Sequence, residues 1–434
     1  MKLKIFIGLI VCAGSSFTAF SQEAKTSPTP NSRVIITNPA TPTPTPASKV
    51  VVTNNLPAPT PKPMATPIQS SIFAPSTNNP LAAPTPEARV SPTFFKPLSF
   101  RQIKSKIEEA KRQMLSRPVS TALTNSFLDT EVIRIAFYDY TTAKVDYLVT
   151  TKTDFLQTDS GVLILSANGK YVTLRTVRAN GVNTPVMIVD AQNLAQLPLL
   201  VQYPVEKYGR LTETAYYIST HPGIVTPEVV GAGKIYVRNT LDAARANLQK
   251  KGVFISPQVA DAAERLSIVE HVDHERFRSE YALNIFNDIY ALYALNETQT
   301  YRYSVSSAGA GGMVQMIPST YYMVRSRYYN AALMPDFVEG MRNHVNAATA
   351  MLLYMQMTWS DLISNETIYS AIENKIATPT ELMSAGYNSN PARLAGYIKR
   401  GGASWKYLIP RETQIYLQIN AAMDRFVPII PRTK

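Results

Sequence analysis

The spacing of the apolar residues changes along this chain, and that change constrains the fold more than any other feature. Residues 125–238 contain short runs of β-forming residues, the last of which is Lys234-Ile235-Tyr236-Val237. From Leu241 onwards, apolar residues recur at helical spacing. Asn168-Gly169 separates two of the β-forming runs and is a strong hairpin signal. The sequence therefore predicts a multidomain α+β protein in which a small, mostly antiparallel β domain precedes an all-α domain.

The first 21 residues have the features of an export signal. Lys2 and Lys4 precede an apolar stretch at residues 5–11, and Ala19-Phe20-Ser21 supplies a small-x-small cleavage site. The apolar stretch is too short to cross a bilayer. We therefore expect residues 1–21 to be removed and the mature protein to reach the periplasm or cell envelope, or to be secreted.

The only cysteine, Cys12, lies inside this signal. Lipidation at Cys12 is not expected, because a lipidated cysteine follows a small residue and Val11 fits that position poorly. Once the signal is removed, the mature chain has no cysteine, which excludes disulfides, thiol catalysis and thiolate metal sites. Hydrophobic cores must then hold its domains together.

Composition and periodicity divide the chain into segments. Residues 22–97 are rich in Pro and Thr and have few large apolar side chains, so we expect an extended, disordered spacer. A short amphipathic helix follows, with apolar residues at helical spacing: Ile103, Ile107, Ala110 and Met114. The predicted order is a signal peptide at 1–21, a disordered linker at 22–97, a helical connector at 98–124, the β domain at 125–238, a helical linker at 239–276 and the all-α domain at 277–434.

The chain carries a net charge of +12 and has a pI near 9.5. An anionic partner such as peptidoglycan, teichoic acid or nucleic acid would suit this charge. Nucleic acid is the weakest of these, because no Lys/Arg runs are interleaved with aromatic residues. General solubility accounts for the charge equally well.

A glutamate at the end of an apolar segment is the main candidate for chemistry. Leu283 to Leu295 is apolar almost all round, which predicts a buried helix, and Glu297 stands at its end. A carboxyl group there is partly desolvated, which raises its pKa toward the value that a general acid needs at neutral pH. Glycines at 309–312 would let the backbone approach a ligand closely, and Pro318 then starts a new helix.

The spacing around Glu297 resembles that of the soluble lytic transglycosylase family, whose fold is related to goose-type lysozyme. The family has a Glu, then Ser-x-x-Gly-Ala-x-Gly-Leu-Met-Gln. In this chain Ser306, Gly309, Gly312 and Gln315 follow Glu297 by nine, twelve, fifteen and eighteen residues, and every offset agrees with the family.

Three blocks downstream resemble the family in the same order. Residues 337–353 resemble its Asn-centred helix, Gly386-Tyr387-Asn388 its Ala-Tyr-Asn-Ala-Gly block, and Pro410-Arg411-Glu412-Thr413 its closing Pro-Glu-Thr-x-x-Tyr helix. The resemblance covers about the last 155 residues. The chain departs from the family pattern at Thr298, Tyr301-Arg302 and Asn390.

The resemblance implies a lysozyme-like all-α domain that cuts the β-1,4 bond between N-acetylmuramic acid and N-acetylglucosamine. Glu297 would protonate the leaving oxygen and then remove the proton of the sugar's C6 hydroxyl, so that a 1,6-anhydro ring closes. This route needs one carboxyl group, unlike the usual glycosidase pair. No second acid lies between Glu297 and Gln315, although Asp336, Glu339 or Glu381 could approach in space.

The resemblance also implies the residues that bind substrate. Ser306, Gln315 and the backbone at Met313 would line the sugar cleft, Tyr387 would lie near the acid, and Asn388 would hold that loop. No cofactor and no metal are implied. The expected partner of this monomer is the peptidoglycan glycan strand, and the β domain could contact wall or envelope protein.

Two other functions remain open at this point. One is a goose-lysozyme-like hydrolase, and the other is a non-catalytic wall-binding protein that keeps the fold for glycan affinity. Metal binding is disfavoured at the segment that begins with Glu270-His271 and ends with His274-Glu275, because its histidines are three residues apart, not four as in His-Glu-x-x-His, and no third ligand is evident. We interpret that segment as a charged helix surface.

Overall fold

The computed structural model describes residues 97–116, 130–158, 161–300, 306 and 308–433. The predicted signal peptide, residues 22–96 of the predicted linker and residues 117–124 of the predicted connector lie outside these residues. Within the described part of the chain, no helix is both long and apolar enough to cross a membrane.

The first helix agrees with its predicted periodicity. Helix α1 spans Phe100–Ser116 and buries the side chains that share its apolar face: Ile103, Ile107, Ala110 and Met114.

A curled antiparallel sheet follows, which confirms the β-rich pattern at this coarse level. In chain order its elements are β1 Val132–Asp139, β2 Lys144–Thr151, the short helix α2 Lys152–Leu156, β3 Gly161–Leu165, β4 Tyr171–Thr176, β5 Val186–Asp190, β6 Ala195–Lys207 and β7 Arg210–Tyr217. The strand order is β2-β1-β6-β5-β4-β3, and β7 also pairs with β6. The predicted hairpin joins β3 to β4, with Gly169 at φ +81°.

Helices make up most of the remaining described residues. They are α3 Pro227–Lys250, α4 Pro257–Val269, α5 His274–Ser279, α6 Ala282–Asn296, α7 Pro318–Arg327, α8 Phe337–Arg342, α9 His344–Ile363, α10 Glu366–Glu373, α11 Pro379–Asn388, α12 Leu394–Gly401 and α13 Arg411–Phe426. The sequence predicted the start of α7, where Pro318 occupies the first turn.

Residues 234–237 are helical, so the prediction of a strand there is wrong. They lie inside α3, whose first turn is capped by the Thr226 hydroxyl. The helix buries Gly233, Val237 and Leu241 at four-residue spacing and packs against α6 and α9. Burial of this helical face outweighs the β-forming tendency of the short run.

Helix α6 is apolar all round because it contributes to two core clusters. Phe286 and Tyr293 belong to a cluster that includes side chains of α3, α4 and α9. Ala294 and Leu295 belong to a second cluster that includes Leu199 of β6 and side chains of α1. The sheet and α1 therefore cover apolar surface of α6 that the other helices leave free.

Polar contacts also join the sheet to the helices. Asn296, the last residue of α6, accepts a hydrogen bond from the Ile218 N–H at 2.9 Å and donates one to the Ile218 carbonyl at 2.9 Å. Arg342 of α8 forms an ion pair with Glu213 of β7 at 3.5 Å. The end of α6 is thus fixed against the end of the sheet.

Replacing Gly233 by Ala is expected to destabilise the fold by about 3 kcal/mol. A Cβ at this position would lie 1.9 Å from the carbonyl oxygen of Tyr290 on α6. A backbone oxygen cannot rotate away, so α3 and α6 would have to separate. Gly231→Ala is the matched control on the same helix, since a Cβ there meets nothing within 4 Å. This control should be neutral or stabilising by about 0.5–1 kcal/mol. Urea unfolding measures both variants, and equal stabilities would contradict the close crossing.

Candidate active site

A cleft of about 370 Å³ opens where the ends of α4 and α11 and the start of α13 meet the segment before α7. Its size is within the range of small-ligand sites. The described residues that line it are Val269, Glu270, Val272, His274, Ser306, Ala308, Ala310, Gln315, Met316, Ile317, Thr320, Tyr354, Tyr387, Asn388, Ser389, Glu412 and Tyr416.

Glu270 places a carboxyl group in the wall of this cleft. It directly follows the last residue of α4, and the side chains of that helix's last turn are buried. Its Oε1 accepts a hydrogen bond of 2.6 Å from the Tyr416 hydroxyl. Burial raises the pKa of Glu270 to about 8, the nearby Glu412 carboxylate also raises it, and the hydrogen bond from Tyr416 lowers it. The Glu270 carboxyl group is therefore protonated at neutral pH, as a general acid must be.

Two tyrosines frame the carboxyl group. Burial holds the pKa of both Tyr387 and Tyr416 well above the ordinary value, so both hydroxyls keep their protons. Tyr387 donates a hydrogen bond of 2.6 Å to the carbonyl of Val314, and its ring meets that of Tyr354 edge-on. Tyr387 thus supports the backbone of the glycine-rich segment, whereas Tyr416 contacts the acid itself.

The glycine-rich segment owes its shape to left-handed backbone conformations. Gly309 has φ +78° and Gly312 has φ +71°, and a Cβ on Gly312 would lie 2.9 Å from the carbonyl of Met341. Gln315 also adopts a positive φ, +46°, which is a strained conformation for a residue with a side chain. The Ser306 hydroxyl accepts a hydrogen bond from the Ala310 N–H at 3.1 Å. These features present Ser306 and Gln315 to the cleft.

Four of the six site residues predicted from the sequence meet at this cleft: Ser306, Gln315, Tyr387 and Asn388. The Thr413 hydroxyl donates a hydrogen bond of 2.8 Å to the Asn388 side chain, which links the end of α11 to α13. Three of the four ordered blocks of the sequence therefore contribute to one cleft, whereas none of residues 337–353 is among the described residues that line it.

Met313 is not among the described residues that line the cleft. Its side chain is fully buried, and its carbonyl lies 3.0 Å from Nε2 of His271 and accepts a longer bond from Tyr293. Burial lowers the pKa of His271 to about 3, so His271 is neutral and its Nε2–H donates to this carbonyl. Met313 supports the cleft from behind, and its predicted contact with the sugar stays a prediction.

Glu297 also lies outside the set of described residues that line the cleft. It follows α6 with φ +32°, and its carboxylate forms an ion pair of 2.5 Å with Lys104 of α1. The side chain of Glu297 is 48% exposed and that of Lys104 is 42% exposed. An ion pair this exposed contributes at most about 1 kcal/mol to stability.

The structure also locates the three carboxyl groups that, from the sequence, could have approached the acid in space. Glu381 pairs with Lys406, Glu339 pairs with Arg342, and Asp336 caps α8. None of these three is among the described residues that line the cleft, whereas Glu412 is.

Glu270 is a residue that the sequence analysis weighed only as part of a metal motif. The signal that drew attention to Glu297 was a carboxyl group at the end of an apolar helix. Glu270 directly follows a buried turn of α4, but α4 also carries Asp261 and Glu264, so the pattern is weaker there. His271 beside it is buried and bonded to Met313. Among the described residues, no three His, Cys, Asp or Glu side chains are grouped as metal ligands.

Comparisons of this chain with protein families, with curated proteins and with solved structures find no match. Its function must therefore be inferred from the cleft and from the ordered blocks of its sequence.

Proposed function

We propose that this protein is an exported lytic transglycosylase that cleaves the glycan strands of peptidoglycan. The observation that carries the proposal is the Glu270 carboxyl group, whose pKa is raised by burial, in a cleft with Ser306, Gln315, Tyr387 and Asn388. Those four residues belong to the sequence blocks that resemble the lytic transglycosylases, and their meeting around an acid supports the substrate class.

The general acid in this proposal is Glu270, in place of Glu297. A general acid must reach the glycosidic oxygen, and Glu270 lines the cleft whereas Glu297 is paired with Lys104 outside its lining. The catalytic unit then begins at α4, about twenty residues before the all-α domain predicted from residue 277. Its fold would be lysozyme-like, with the sheet packed beside it.

In the proposed reaction, Glu270 donates its proton to the oxygen that links the two sugars. The bond from the muramic C1 to that oxygen breaks, and its electron pair stays with the oxygen. The N-acetyl carbonyl of the muramic sugar stabilises the positive C1. The Glu270 carboxylate then removes the proton of the C6 hydroxyl, and O6 closes the 1,6-anhydro ring on C1. One carboxyl group is enough for these steps, in contrast to the usual pair.

One observation favours a second candidate, a hydrolase. Glu412 lines the same cleft and is exposed, while Glu270 is desolvated. Two carboxyl groups in different environments are what an acid and a base require in an ordinary glycosidase. Glu412 would activate water in that case, and the product would carry a reducing end.

Mass spectrometry of sacculi digested with the purified protein tests the proposal. Anhydromuramic ends are expected, and reducing ends would favour the hydrolase with Glu412 as its base. If the protein bound sacculi but released no muropeptides, it would be a wall-binding protein and both enzymatic candidates would fail.

A further inference from the structure

The Tyr416 hydroxyl makes the one side-chain hydrogen bond to the Glu270 carboxyl group among the described residues. Tyr416 lies in the second turn of α13 and is 2% exposed. Its hydroxyl oxygen is 2.6 Å from Glu270 Oε1, and the described residues give that hydroxyl no other hydrogen-bond partner. Oε2 of Glu270 has no hydrogen-bond partner among the described residues.

This contact fixes where the proton of the acid lies. The Tyr416 hydroxyl has a single proton, and Glu270 Oε1 is its only described acceptor, so the hydroxyl donates to Oε1. A protonated carboxyl group that accepts at Oε1 carries its own proton on Oε2. The proton available for transfer is therefore held on Oε2, the oxygen without a hydrogen-bond partner among the described residues.

We propose that Tyr416 is a positioning residue that orients the Glu270 carboxyl group with its proton on Oε2 and stabilises the carboxylate left after proton transfer. This inference rests on the proposed role of Glu270 as the acid. Tyr416 itself exchanges no proton with the substrate, and its hydrogen bond to Oε1 is kept in both protonation states of Glu270.

Few other groups that face Glu270 titrate near neutral pH. Burial keeps Tyr293, Tyr387 and Tyr416 protonated, and it keeps His271 neutral. His274 lines the cleft, and burial lowers its pKa below the ordinary value of 6.5, so it is neutral above that pH. Glu412 is the other carboxyl group that lines the cleft, and its side chain is exposed. A fall in activity on the alkaline side is thus assigned to Glu270.

Tyr416→Phe is expected to move that alkaline fall to higher pH by roughly one unit. The cleaving form has Glu270 protonated, so kcat/KM falls as pH rises through the pKa of Glu270 in the free enzyme. The hydrogen bond from Tyr416 favours the carboxylate and lowers that pKa, so its loss raises the pKa. We expect kcat to fall roughly 10- to 100-fold with KM nearly unchanged, because the acid loses its orientation. A pH series of initial rates on purified glycan strands measures both effects.

Tyr387→Phe is the matched control, since it removes a tyrosine hydroxyl from the same cleft but one that bonds Val314. In this variant, activity should fall at the same alkaline pH as in the wild type, even if the rate itself changes. Titration of the Glu270 side-chain carboxyl by NMR reads the same pKa without activity, in the full chain and in each variant. An NMR pKa that does not rise in Tyr416→Phe, in a variant with a wild-type melting temperature, would overturn the inference. A raised pKa without any glycan cleavage would instead keep the contact and reject the proposed enzyme.

Discussion

Glu270→Gln should reduce the rate of glycan cleavage by about 10²- to 10⁴-fold, the contribution of a positioned general acid. Glutamine has the same shape, and its amide oxygen can still accept the hydrogen bond that Tyr416 donates to Oε1. It has no acidic proton, so the leaving sugar oxygen would depart unprotonated. The neutral amide also suits a site where burial disfavours the charged form of Glu270, so the variant should fold normally. Release of soluble muropeptides from sacculi measures the rate.

Glu297→Gln is the matched control, because it makes the same chemical change at the carboxyl group that directly follows α6. Its ion pair with Lys104 is nearly half exposed, so we expect a rate within roughly twofold of the wild type and a small change in stability. The reverse result, with Glu297→Gln inactive and Glu270→Gln active, would identify Glu297 as the general acid. It would also contradict proton transfer in the cleft.

Arg432→Ala is expected to lower the free energy of unfolding by about 3 kcal/mol, although Arg432 lies only two residues from the last residue of the chain. Its side chain is 4% exposed and contacts Asp242 of α3 at 2.6 Å and Asp261 and Glu264 of α4 at 2.9 and 2.7 Å. Without Arg432, Arg238, at 3.3 Å, is the one ion-pair partner that the described residues leave to the buried Glu264. Removing one partner of a buried ion network leaves a desolvated charge, which costs more than the network contributes.

The loss in Arg432→Ala should shrink as pH falls. Burial already raises the pKa of Glu264, and loss of the Arg432 charge would raise it further. A carboxyl group whose folded-state pKa exceeds its unfolded value binds more protons in the folded state, so acid favours folding at this site. Urea unfolding at neutral pH and at pH 5 measures the effect. Arg425→Ala is the control, since Arg425 is exposed on α13 and the same charge is removed. Equal losses in the two variants would contradict a role for the buried network.

The sequence predicted much of the fold because several elements bury one apolar face of their own. The buried residues of α1 and the hairpin at Gly169 follow directly from apolar spacing and turn chemistry. The strand prediction for residues 234–237 was wrong because the pattern of four residues is too short to distinguish a strand from a helix. Packing of the whole of α3 against α6 and α9 decides that question, and no window of four residues contains this information.

The site was predictable where residues are close in sequence and ambiguous where packing selects among them. The ordered blocks identified Ser306, Gln315, Tyr387 and Asn388, which do meet at one cleft. The sequence pointed to Glu297 as the acid, but Glu270 and Glu297 each directly follow a helix, and the sequence pattern does not show which of them faces the cleft. Which of the two glutamates faces the cleft depends on how α13 packs against α4. The hydrogen bond between Tyr416 and Glu270 shows this packing, and it joins residues that are 146 positions apart in the chain.

The position of α6 between two core clusters bears on how this chain could change during evolution. Ala294 and Leu295 are covered by the sheet and by α1, so a gene that lost the strands would expose an apolar face of α6, the helix that packs against α13 of the cleft. The outer side of the β3–β4 hairpin covers no apolar surface of α6, because Leu163, Leu165 and Tyr171 are exposed to solvent. Descendants of this protein can therefore vary the outer surface of the sheet freely, whereas they must inherit the sheet and the cleft together.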